Sequence, residues 1–126
     1  MTKAGVKNLM LKNIKELNER FNLGWVVGDV TQGKWYLNVD ILVPSLDISF
    51  LKTHNYYNDK LNYKPETPEG LIEEAKDHLF YGWINTDHKR VTYYKQIIAK
   101  IEVVLEKEAL ESLMQESKAP TKTRKL

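Results

Sequence analysis

Two acid–histidine dipeptides, Asp77-His78 and Asp87-His88, stand ten residues apart on either side of a turn. Two imidazoles and two carboxylates meeting at one corner would suit a divalent metal and a metal-dependent hydrolase. The pattern is short, though. Adjacent Asp and His point in different directions on a helix, and an acid at Asp87 is what the first turn of a helix attracts. No HExxH helix, glycine-rich phosphate loop or GxSxG elbow occurs, and there is no cysteine to act as nucleophile, metal ligand or disulfide partner. The corner therefore stands third among the functional readings. Neither a metal nor a cofactor is assigned, and no catalytic residue is named.

A second pattern is aromatic and basic. Tyr56, Tyr57 and Tyr63 interleave with Lys52, Lys60 and Lys64, and His54 lies among them. Bases stack on tyrosines while lysines hold phosphates, so this stretch is a candidate single-strand nucleic-acid platform, the alternative reading. Its bland counterpart is a tyrosine-rich loop covering a small sheet.

The third pattern is a surplus of large apolar side chains. Phe80, Tyr81, Trp83, Ile84 and Tyr93 crowd one corner, more than a helix stripe of Leu71, Ile72, Ala75 and Leu79 can use. A second stripe through Leu105, Ala109 and Leu113 continues toward the C-terminus beside Glu102, Glu106, Glu108, Glu111 and Glu116. A dry stripe beyond the core wants a protein partner or another copy of the chain. Phe80, Trp83, Tyr93, Leu105, Ala109 and Leu113 are thus the candidate protein interface.

These residues must be held by a small fold. At 126 residues, 42% hydrophobic and 29% charged, the chain fits one globular domain. No apolar run could cross a membrane, and the opening residues lack the apolar stretch of a secretory leader, so a cytoplasmic protein is the expectation. The formal charge of +2 is unevenly spread: residues 118–126 carry +4 and residues 1–117 carry −2. A near-neutral body argues against a dedicated nucleic-acid surface. Sixteen lysines against three arginines, with nine asparagines and seven tyrosines, suggest an AT-rich, phage-like coding sequence.

The elements follow from periodicity. Val6, Leu9, Met10, Ile14, Leu17 and Phe21 recur at helical steps, with Thr2 as cap and Asn22 and Gly24 as stops. Trp35, Leu37, Val39, Ile41 and Val43 alternate with polar residues, which predicts a strand with one solvated face. Residues 25–30 form its hairpin partner. A two-residue turn at Gln32-Gly33 would pair Val30 with Trp35 and Gly28 with Leu37, while a one-residue slip would turn Trp25 and Val27 inward. Leu46, Ile48 and Phe50 suggest a third strand. A long loop over 53–67 then leads to a helix at Thr67-Pro68-Glu69.

The last helix, about Asp87 to about Glu116, carries Val91, Tyr94, Ile98, Ile101, Leu105, Ala109 and Leu113 on one stripe. At ~30 residues it would span roughly 45 Å, more than a domain with a radius of gyration of ~14 Å can cover. The expected fold is α+β: an N-terminal helix, an antiparallel two- or three-stranded meander, then two C-terminal helices, the last one long, packed on one face. The domain is set at 1–117, with 118–126 a disordered basic tail. The expected function is a small non-enzymatic protein that binds and modulates a larger assembly, such as a transcription or replication machine. Its partner is a protein or another copy, with nucleic acid as the alternative and no membrane.

Overall fold

A computed structural model describes residues 1–81 and 87–124, with the side chains of the last helix described through Gln115. Helix α1 spans Lys3–Phe21. The Thr2 hydroxyl caps it by accepting from the Gly5 N–H at 3.0 Å. Asn22 ends it in the left-handed region, at φ 53°, and Leu23 N–H returns to the Asn18 carbonyl. Asn18 then turns the chain toward the sheet. Its amide donates to the Trp25 carbonyl and its Oδ1 accepts from the Trp25 N–H. The buried face of α1 is Val6, Met10, Ile14, Leu17 and Phe21 with one polar member, Asn13; Leu9, expected on that face, is exposed.

The sheet has three antiparallel strands in the order β1-β2-β3: β1 Val26–Gln32, β2 Tyr36–Val43 and β3 Ile48–Asn55. Leu37, Val39, Ile41 and Val43 of β2 are fully buried, as their alternation predicts. Trp35 is not among them. It lies in the turn before β2, half exposed, with its carbonyl accepting from the Tyr56 N–H.

The hairpin register also differs from that of a turn at Gln32-Gly33. Gly33 N–H closes on the Tyr36 carbonyl, which moves the turn on to Lys34-Trp35, so Val30 pairs with Val39 and Gln32 with Leu37. A bulge between Val27 and Val30 absorbs the remainder, and Val27 meets Ile41. At this bulge Gly28 crosses Asp40, and a Cβ there would come within 3.2 Å of the Asp40 Oδ2. Trp25, just before β1, is buried against Phe50.

A single 3-10 turn, Pro44–Leu46, leads to β3, whose Phe50 and Lys52 pair with Ile41 and Val39. The 53–67 stretch is more ordered than its composition suggests. β3 continues to Asn55, and a short helix α2, Tyr56–Asp59, follows under an Asn55 cap. Helix α3 is Pro68–Tyr81 and helix α4 is His88–Arg124. Asp87 caps α4 by accepting from the Lys89 N–H at 3.0 Å.

One core joins the inner faces of α1, α3 and α4 to one face of the sheet. The other face, with Leu42 and Leu51, is open. The most deeply buried residues of α4 are Tyr93, Ile97 and Ile101. Ile101 lies on the expected stripe, whereas Tyr93 and Ile97 sit one residue before the expected Tyr94 and Ile98, which are only partly buried against the same core. Tyr93, expected at an interface, is a core residue at 5% exposure. The backbone of α4 stays helical past Ser117, where the sequence sets the domain's end, to Arg124. No described helix is long and apolar enough to cross a membrane.

Candidate protein-interaction surface

Helix α4 has 37 residues, which is ~55 Å of helix. Its contact with the core ends at Leu105, which is half-buried together with Val104. From Glu106 to Gln115 every residue is exposed. An ion pair marks the point of departure. Arg20, in the last turn of α1, reaches Glu108 at 2.7 Å. The guanidinium holds the Glu108 carboxyl below its ordinary pKa, chiefly through their hydrogen bond. Arg20 itself lies over the Phe21 ring.

Beyond that pair lies an apolar stripe. Leu113 is 58% exposed and Leu110 57%, with Met114 beside them. Val103, seven residues before Leu110, is exposed on the rim of a shallow depression of about 290 Å³ formed with Phe21 and Ala99. Ala109 is exposed too, but it has little side chain to offer. Val103, Leu110 and Met114 carry more apolar area than the expected Leu105–Ala109 line. The signal for them was in the sequence, as the seven- and four-residue steps from 103 to 110 to 114.

The aromatic corner contributes Phe80, 82% exposed, and Tyr81, which meet edge to face at 5.3 Å. Trp83, also expected here, lies outside the described residues. Of the six expected interface residues, the structure exposes Phe80, Ala109 and Leu113, half-buries Leu105 and buries Tyr93.

The Tyr/Lys stretch does not assemble into one platform. Lys52 is largely buried, paired with Glu66 at 2.6 Å and lying over the Trp25 and Phe50 rings. Tyr56 is buried beneath Lys3. Tyr63 is half-buried and donates to Asn13 Oδ1 at 2.8 Å; burial pushes its hydroxyl up to about 12. Tyr57, Lys60 and Lys64 are exposed. Tyr57 finds a different partner, the Trp35 ring at 5.5 Å, over which Lys34 lies. Sequence reasoning missed Trp35 because its alternation with Leu37 placed it inside.

At the acid–histidine corner, His78 stacks on Tyr94 at 4.7 Å and faces Glu74 at 3.9 Å. Asp87 is engaged in capping α4 and in an ion pair with Arg90 at 3.2 Å. Asp77 and His88 are exposed. Among the described residues no group of three or more His, Asp or Glu side chains is placed to hold a metal ion.

Among the described residues, the most conspicuous surface that these elements leave unpaired is therefore the Leu110–Met114 stretch of α4 with the Phe80–Tyr81 corner. Comparison with known family models, with curated proteins and with solved structures finds no match to this chain.

Proposed function

We propose that this is a small non-enzymatic interaction protein that binds and modulates a larger protein assembly, with the distal half of α4 as its docking surface. The observation that carries this reading is the apolar stripe of Leu110, Leu113 and Met114, exposed on a helix the core has already left. Leaving large apolar side chains in water forfeits ~1.5–3 kcal/mol each relative to burial. The Arg20–Glu108 pair helps fix the direction in which the helix leaves the body. The test compares the parent chain with a Leu110→Lys, Leu113→Lys variant, by in-cell cross-linking and by melting. Loss of cross-linked partner at unchanged melting temperature supports the reading. Capture equal to the parent's, or a large loss of stability, contradicts it.

A second reading, binding of single-stranded nucleic acid, draws on the exposed Tyr57–Trp35 pair beside Lys34. Replacing Tyr57 or Trp35 with Ala would then weaken oligonucleotide binding by ~1–3 kcal/mol. Affinity would also fall with added salt. An oligonucleotide titration at low salt that shows no binding removes this reading.

A further inference from the structure

β3 is an edge strand, and its free side faces a cleft. Phe50, Lys52 and His54 pair with β2 through Ile41, Val39 and Leu37. The intervening residues Ser49, Leu51 and Thr53 have the opposite phase. One contact fixes that phase directly: the Ser49 carbonyl accepts from Arg90 Nη2 at 2.9 Å, so it points away from β2 toward α4. Two and four residues on, the N–H and C=O groups of Leu51 and Thr53 share that direction. Among the described residues, none of these four groups meets a partner on the free side.

Beside this edge the strand and α3 stand apart. A cavity of about 150 Å³ opens between them, lined by Phe50, Leu71, Ala75, Tyr93 and Ile97 with His78 at its α3 side. Leu51 and Lys52 also border a second, more polar cavity with Thr53, Tyr63, Lys64 and Glu66. Thr53 and Lys64 continue into a third, with Lys60. The three run in line along β3. Their charge is graded. In the middle Lys52 is neutralised by Glu66, and Glu74 borders both that cavity and the first. At the far end Lys60 and Lys64 outnumber the one carboxylate there, Asp59, and make no ion pair among the described residues.

We propose that this cleft binds an extended peptide segment as a fourth strand on β3, with an apolar side chain in the cavity beside Tyr93 and an acidic side chain near Lys60 and Lys64. Every second side chain of an added strand faces the same way, ~6.6–6.8 Å apart, so one backbone can send alternate side chains toward cavities that follow one another along β3. The main chain supplies affinity through Leu51 and Thr53, and the cavity and the lysines supply selection. This site is separate from the α4 stripe and does not depend on it.

The probe is a nonapeptide with leucine at its centre, glutamate at both ends and threonine elsewhere, so that it reads alike in either strand direction. It is prepared unmodified and with its backbone N-methylated on one or the other alternate set of residues. Only one set of N–H groups can face β3. One N-methylated peptide is therefore expected to bind more than about tenfold more weakly, as two hydrogen bonds are lost, and the other close to the parent peptide. The Leu51 and Thr53 amides should exchange more slowly in the complex. A Leu51→Pro variant, which deletes an edge donor not used by β2, should keep its melting temperature and lose the peptide. Equal binding of both N-methylated peptides, or no binding of the parent peptide at millimolar concentration, overturns the proposal. So does a dimer by sedimentation with those amides already protected, since a second copy would then hold the edge. Leu113→Lys should leave peptide binding unchanged, which separates failure here from failure of the α4 surface.

Discussion

Lys60 sits at φ 54° and ψ −130°, a region that a side chain resists and glycine accepts. The turn that imposes it is closed by Asn62 N–H on the Asp59 carbonyl. The Lys60 carbonyl is held in turn by the ring Nε2 of buried His54 at 2.9 Å. Lys60→Gly should stabilise the fold by about 1 kcal/mol, the strain relieved exceeding the entropy that glycine loses; a urea midpoint that falls would contradict this. Asn13 is the opposite case. From α1 it meets the Glu66 N–H, the Glu66 carbonyl and the Tyr63 hydroxyl. Asn13→Leu should cost about 3 kcal/mol, because three polar groups of the 63–66 segment lose their partner. Neither residue was legible in the sequence, since a lone lysine or asparagine carries no periodicity. Alkaline pH offers a further check. Tyr63 holds its proton up to about pH 12 when folded, against about 10 unfolded, and Tyr93 is raised in the same direction. The folded state keeps protons that the unfolded state gives up, so stability should be intact below about pH 10 and decline as pH rises through about 12. Denaturation midpoints constant across that window would contradict the burial of these rings.

Among the elements, β2 was the most legible, because four apolar residues at a period of two allow only one phase. Val39 is fully buried in that row and faces Val30 and Lys52 across the ladders. Val39→Asp should cost ~4 kcal/mol by placing a charge in the core, and a variant that melts within a few degrees of the parent would contradict the assignment. The hairpin turn was less legible. Its position depends on a backbone closure, Gly33 to Tyr36, and moving the turn on by two residues shifts every pair in β1. The phase of α4 was misread for a related reason. Tyr93-Tyr94 and Ile97-Ile98 offer the same residue types at adjacent positions, ~100° apart around the helix. Only packing against Phe50, 5.2 Å from Tyr93, selects the first of each pair. The candidate site inherited that error at Tyr93, which is buried; Leu110 and Met114, which carry more exposed apolar area than Ala109, are a separate omission.

At the scale of the molecule, the body and the extension of α4 are energetically separable. The core cluster and the hydrophobic residues packed against it reach no further than Leu105, and beyond it Arg20–Glu108 is the described tether. A chain ended after Ser117 should melt within ~0.5 kcal/mol of the parent, which differential scanning calorimetry would check; a truncated chain that fails to fold would contradict it. The arithmetic of helix length against domain radius makes the overhang readable from the sequence. The open edge of β3 was not readable, because it arises from strand order and from the gap before α3. The most direct test of the central claim is made on the Leu110→Lys, Leu113→Lys variant, with melting and in-cell cross-linking read on parent and variant together. The account predicts an unchanged melting temperature with the parent's cross-linked partner lost. A variant that is clearly less stable, or that captures the same partner as well as the parent does, would contradict it.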